Sequence, residues 1–172
     1  CAADTETVAR AHGDPRGVYV VPAFTGLGAP HWDPHARAAI LGMTRDSNAK
    51  DIIVATLDAV CYQTMDLLKA MAADGTRLAE LRIDGGMAAN DWFAQRIADI
   101  CGLPTRRPQV TETTALGAAS LAGLQLGVYA GLAEIARVWQ ADALFEPAKD
   151  AAWRERGRSG WVQALERVKS GR

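Results

Sequence analysis

The ten residues Leu81-Arg82-Ile83-Asp84-Gly85-Gly86-Met87-Ala88-Ala89-Asn90 constrain this chain more than any other stretch. They read as a short strand, a two-glycine turn and the start of a helix. Gly85 and Gly86 lack Cβ, so the backbone there bends through φ > 0 and a ligand can approach to van der Waals contact. The unpaired N–H groups of the following helix, with the positive end of its dipole, face any anion placed there. Asn90 stands about one helical turn past Gly86, which lets its amide reach back towards a ribose or a base edge. A glycine pair is also ordinary strand-to-helix punctuation, so the motif gains meaning only from its surroundings.

Those surroundings alternate strand and helix. Residues 1–16 are polar, with Gly13-Asp14-Pro15 as a turn, and read as the tail of an earlier helix followed by a linker; the domain proper is expected over 17–172. Val18 to Phe24 is β-branched and aromatic, with Pro22 marking an edge or an end. The loop from Thr25 to Pro34 is long enough to carry function, and Ala38 to Met43 is a candidate second strand. Ser47 or Asn48 caps a long helix with Asp51 in its first turn. Ile53, Leu57, Val60, Thr64, Leu67 and Met71 recur along it at helical spacing, which predicts the face that packs, and Asp74-Gly75 ends it. Leu78 to Ile83 is the next strand, and Asp91 to Ile100 the next helix. Thr105 to Val110 is extended between prolines, and Thr114 to Leu126 is again helical. The pattern is that of an α/β layered domain with a mixed sheet flanked by helices. The small residues Gly117, Ala118 and Gly123 let another helix cross the last of these at close range, in a static core or at an interdomain hinge.

Composition removes several functional classes. With 172 residues and 49% hydrophobic content the chain can bury a sizeable core. A net charge of -1, from 19 basic and 20 acidic residues, gives no global field for nucleic acid or an anionic membrane. Lys149 to Arg172 is locally basic, seven against three, which reads as the solvated face of a terminal helix. No stretch reaches the roughly 18 apolar residues of a membrane span. Cys1, Cys61 and Cys101 form no metal-like or redox pair, so the expected compartment is the reducing cytoplasm. His31 and His35 are flanked by Pro30 and Pro34, which forbid the regular helix a metal pair would need. Trp32 and Asp33 are read as ordering their loop. Trp153, Gly157, Trp161, Leu165 and Val168 form one stripe of the C-terminal helix. The start at Cys1, in polar residues, reads as an excerpt of a longer protein.

Taken together these segments resemble the FGGY carbohydrate kinases, and within them the glycerol kinase branch. Gly26-Leu27-Gly28-Ala29-Pro30 with Trp32-Asp33-Pro34 resembles that branch's version of a loop that differs in the sugar kinases. Ala38, Ile40, Gly42 and Met43, followed by Asp51, Ile52, Ala55, Thr56, Leu57 and Asp58, fit the family's second signature. Asp84-Gly85-Gly86 with Asn90 resembles its adenosine-binding turn, and Thr114 to Ala119 the interface helix of the wider superfamily. The resemblance runs from about Gly17 to the end. It implies the RNase H-like fold shared by actin, hexokinase and the heat-shock chaperones, with this chain as most of a C-terminal lobe. It implies ATP or ADP with Mg²⁺ as the bound cofactor, and Gly85, Gly86, Met87 and Asn90 as nucleotide-binding residues. It implies phosphorylation of glycerol held by an N-terminal lobe, in a parent kinase that forms a homo-oligomer. The family's catalytic aspartate and polyol-binding residues have no counterpart in these 172 residues, so this chain alone is expected to be inactive. A xylulose or ribulose kinase lobe, and a non-catalytic actin-like binding domain, are the alternative readings.

Overall fold

The computed structural model describes residues 4–171. Cys1, and the expectation attached to the start of the chain, lies outside them. Helix α1 (Thr5–His12) packs against α2 (Ala49–Ala73), with Ala9 fully buried beside Val54, Leu57 and Trp92. Residues 5–16 therefore carry a helix docked on the core as well as a connection. The connection is pinned by Asp51, whose enclosed carboxylate accepts from Arg16 Nε at 2.8 Å and Asn48 N at 2.8 Å and lies 2.7 Å from His12 Nε2. Asn48, in extended conformation, accepts from Lys50 N and starts α2 as a capping box.

Strand β1 (Tyr19–Val21) pairs antiparallel with β2 (Ala39–Leu41), and Pro22 ends β1 as expected. A second sheet holds β3 (Leu81–Arg82), β4 (Thr105–Pro108) and β5 (Ala141–Phe145), in that order. β3 runs parallel to β4, and β5 antiparallel to it, so this sheet is mixed. A single 3-10 turn, Gly86–Ala89, and helix α3 (Asp91–Cys101) form the crossover from β3 to β4. Helices α4 (Thr113–Gln125), α5 (Leu132–Val138) and α6 (Ala151–Val168) complete the chain. The α5–β5 segment was not expected from sequence.

The buried stripe of α2 departs from the expected one. Leu67 and Met71 are exposed, and the enclosed residues are Asp51, Val54, Ala55, Asp58, Ala59, Cys61, Tyr62 and Met65 together with Leu57. The reason is that α2 is covered on two sides: α1 and α3 take Val54 and Leu57, with Cys101 of α3 also against Cys61, while Tyr19 of β1 and Trp161 of α6 take Tyr62. Trp161 of α6 stacks on Tyr62 at 5.4 Å between ring centres, and its indole N–H donates to Asp66 at 2.7 Å. Trp161 and Leu165 are buried, as the α6 stripe predicted. Burial pushes the Cys61 thiol well up and the Cys101 thiol to about 12, in keeping with inert core cysteines. The small residues of α4 divide: Gly117 and Ala118 are exposed, as is Ala119, whereas Gly123 is half-buried with the ring of Tyr129 in the space a Cβ would take, and Ser120 is the helix's buried residue.

One ion pair lies inside the core. Arg96 Nε and Nη2 of α3 each sit 2.7 Å from a carboxylate oxygen of Asp58 on α2, and the two side chains are 8% and 2% exposed. The guanidinium lies between the rings of Trp92 and Trp153, at 5.2 Å and 4.8 Å. Burial pushes the Asp58 carboxyl up, and the bidentate guanidinium pulls against it.

Removing one partner strands a buried charge. Arg96→Met is expected to lower unfolding free energy in urea by about 3–5 kcal/mol, with most of the loss recovered in the Asp58→Leu, Arg96→Met double variant. A single-variant loss below about 1 kcal/mol would show the pair to be no stronger than a surface contact.

Acid should act through Asp51. Its hydrogen bonds from Arg16, with the contacts of His12 and Asn48, hold its carboxyl far below the usual carboxylate range. Protons therefore bind the unfolded state more readily than the folded one, so the stabilisation is complete above about pH 4 and is lost as pH falls below it. The acid-unfolding curve followed by far-UV circular dichroism should lose this component in Asp51→Asn. Superimposable curves would refute it.

Candidate functional site

The Gly-Gly turn forms one wall of a cleft of about 890 Å³. Gly86, Met87 and Asn90 line this wall, Thr56, Leu57 and Val60 of α2 form the opposite one, and Glu6 of α1 stands at its end. The interior is largely apolar, with Asn90, Thr56, Thr5 and the Glu6 carboxylate as polar groups and Met87 42% exposed in it. A flat apolar ring with a hydrogen-bonding edge suits such a lining.

Each of the four residues singled out in the sequence has a distinct place. Gly85 is the neck of the turn: at φ 77°, ψ -179° it occupies a region essentially reserved for glycine. Its N–H donates to Thr111 O at 2.8 Å. Gly86 needs neither that freedom nor that room for the chain's own sake, because its φ is not positive and a Cβ built on it meets no atom within 4 Å. Met87 projects into the cleft. Asn90 Oδ1 accepts from Phe93 N at 2.9 Å and so caps α3, leaving the amide N–H groups for a ligand. The helix proper begins at Asp91, as the Asp91 to Ile100 reading has it, and the positive end of its dipole sits at Asn90; a 3-10 turn over Gly86–Ala89 separates it from the glycine pair.

Supports of the turn were not visible in the sequence. Thr113 Oγ1 at the start of α4 hydrogen bonds the Asp84 carboxylate, and Ile83 N donates to Arg106 O at 3.0 Å. Arg107 Nη1 donates to Ala88 O at 3.0 Å and to Asp91 at 2.7 Å. The spacing of a threonine after an extended β4 was the one available signal, and it is weak.

The Thr25–Pro34 loop lies elsewhere. Leu27 and Asp33 exchange backbone hydrogen bonds at 2.7 Å and 3.0 Å. Asp33 also accepts from His35 N, Ala36 N and both Ser170 N and Oγ, which draw its carboxyl down to about 2. Asp33 orders the loop, while Trp32 is 75% exposed. His31 Nε2 lies 3.3 Å from Asp66. Among the described residues no group of His, Cys, Asp and Glu converges on a metal site.

The model for the C-terminal domain of the FGGY family of carbohydrate kinases matches residues 2–126. The chain belongs to the FGGY family. Over 170 residues this FGGY domain is 55% identical to a glycerol kinase of Ectopseudomonas mendocina and 56% identical to one of Rhodospirillum rubrum, in each case covering 98% of this chain and 34% of the relative. It therefore spans about a third of the length of the curated relatives it matches. The Plasmodium falciparum glycerol kinase solved with ADP superposes with a TM-score of 0.85 and 32% identity over 98% of this chain and 34% of that one. A xylulose kinase from Lactobacillus acidophilus, with a TM-score of 0.83 and 23% identity over 99% of this chain and 35% of that one, shares the fold. The mixed α/β lobe expected from sequence is thus the one FGGY kinases use. Among the described residues no helix is long and apolar enough to cross a membrane.

The neck conformation generates a local test. Gly85→Ala is expected to cost about 1–3 kcal/mol, because alanine must hold a glycine-only conformation or the turn must rebuild. Urea unfolding measures the loss, and a neutral Gly85→Ala would mean that the turn relaxes freely.

Proposed function

We propose that this chain is the nucleotide-binding lobe of an ATP-dependent glycerol kinase, which converts glycerol and ATP to glycerol 3-phosphate and ADP. The observation that carries this reading is Gly86, a glycine on the cleft wall that no backbone angle and no neighbour within the chain requires. A bound molecule in contact with the backbone supplies the requirement. Gly85, Gly86, Met87 and Asn90 are the proposed nucleotide residues: Gly85 shapes the turn, Gly86 admits the ligand, Met87 covers the base, and the Asn90 amide donates to it or to the ribose. The glycerol kinase names of the relatives and the ADP of the Plasmodium structure support both the nucleotide and the acceptor. A xylulose or ribulose kinase has less support, since the likeness to a xylulose kinase is one of fold.

Phosphoryl transfer requires acceptor, base and metal-bound phosphates held in line across a closed cleft. This chain supplies one wall of that cleft: it binds and orients the nucleotide and excludes water from one side. Mg²⁺ is proposed to arrive on the phosphates of ATP. The described residues offer it no cluster of ligands. Glycerol, its binding residues and the catalytic base belong to the N-terminal lobe. The exposed face of α4 at Gly117, Ala118 and Ala119 allows that lobe to approach closely. The parent is proposed to be a cytoplasmic homo-oligomer.

Calorimetry with Mg-ADP tests the site. Binding in the micromolar to millimolar range is expected from the wild-type chain. Asn90→Asp, which keeps an oxygen for the α3 cap but removes the amide donors, should weaken it about tenfold. Gly86→Val, which fills the wall, should abolish it, and undiminished binding by both would refute the assignment. Turnover of ATP and glycerol by these 172 residues alone would overturn the proposed division between lobes.

A further inference from the structure

We infer that Arg107 is a positioning residue for the nucleotide turn, a role that rests on the reading of the turn given above. Arg107 occupies the third position of β4, the strand parallel to the one that feeds the turn. Its side chain is only 15% exposed and reaches three separate elements. Nη1 donates to the carbonyl of Ala88, inside the 3-10 turn, at 3.0 Å and to Asp91 of α3 at 2.7 Å. Nε and Nη2 grip Asp142 of β5 at 2.9 Å and 2.8 Å. The guanidinium also lies 5.6 Å from the ring centre of Phe145.

The argument for positioning is one of leverage. The turn's entrance is fixed by Gly85 N to Thr111 O, and its exit by the Asn90 cap on α3. Between these two points the Ala88 carbonyl, at the junction of 3-10 turn and α-helix, is held by Arg107. Ala88 itself is fully buried, so a shift of its carbonyl moves Met87 and Ala89, which face the cleft on either side. The ladder between β4 and β5 slips at Arg107/Pro108, and an irregularity of this kind re-aims the side chain beside it. A planar fork with five donors suits four contacts on three elements; a lysine ammonium reaches fewer of them from one position. The side chain of Arg106, the neighbour in the same strand, bonds Glu80 instead, at 2.6 Å, and Arg106 supports the approach to the turn only through its backbone carbonyl, which a side-chain substitution keeps.

The experiment compares Arg107→Met, Arg107→Lys and the control Arg106→Met in the full chain, at a temperature where circular dichroism finds all of them folded. Amide hydrogen exchange by NMR and Mg-ADP calorimetry are the two readouts. In Arg107→Met the amides of residues 86–90 should exchange at least tenfold faster while those of α2 and β1 hold their wild-type rates, and ADP should bind about tenfold more weakly. Arg107→Lys should recover part of both effects, and Arg106→Met should stay within twofold of wild type. A general loss of protection across the core, or unchanged exchange at 86–90, overturns the positioning role. If the wild-type chain gives no heat with ADP, the nucleotide reading fails instead, and the exchange pattern alone decides whether Arg107 holds the turn.

Discussion

The pair formed by Asp58 and Arg96 fixes the distance on which the candidate site depends. Asp58 lies on α2 between Leu57 and Val60, which form one wall of the cleft, and Arg96 lies on α3, the helix that Asn90 of the other wall caps. The bidentate contact at 2.7 Å sets the rotation and height of α3 against α2, which an apolar contact of the same size would leave freer to slide. Buried ion pairs are weak evidence for stability as such, and their best-attested use is to specify one arrangement. Trp153 extends that specification to α6 by stacking on the same guanidinium. Cleft width and turn position thus follow from a contact on the far side of the two helices.

Around that fixed pair, several residues serve packing and site together. Asn90 ends the turn and starts α3 with one oxygen, so its amide direction is set before any ligand arrives. Asp51 closes the capping box of α2 and ties in the segment that brings α1, with Glu6, to the cleft's end. Asp84 joins the turn to the first residue of α4, the helix on which Gly117 and Ala118 are exposed. The start of α4 and the neck of the turn are thus joined by the Thr113–Asp84 hydrogen bond and by Gly85 N to Thr111 O just before the helix.

What the sequence made legible was local. The Asn48 cap, the break at Asp74-Gly75, the Pro22 stop and the Gly-Gly turn each follow from backbone preferences of the residues concerned, and the structure has all four. The phase of α2 was not legible, because a helix buried on two sides carries apolar residues around most of its circumference and the period blurs. Strands of two to five residues offer too few positions for an alternation to register, which hid β5 and let β3 be drawn too long. Arg107 and the Asp58–Arg96 pair were hidden for a different reason. Arg107 reaches residues 16 to 35 positions away and the Asp58–Arg96 pair spans 38, and a charged residue in a strand or helix looks, in sequence, like a solvated one.

The glycines separate what this chain needs for itself from what it leaves for something else. Gly85 is required by its backbone angles. Gly157 and Gly160, in the interior of α6, cost the helix roughly 1 kcal/mol each relative to alanine. They are explained by the tyrosine hydroxyls of Tyr62 and Tyr19, which occupy the space a Cβ would take. Gly86 and Gly117, like the loop glycines Gly28 and Gly131, have neither reason: no left-handed φ and no atom within 4 Å of a Cβ. Gly117 bears the same helix penalty as the α6 pair without an internal neighbour to offset it. One of these two lines the cleft and the other lies on the uncovered face of α4, and Asp84 with Thr113 connects the segments that carry them. The proposed function supplies an approach for each, a nucleotide at Gly86 and a second lobe at Gly117.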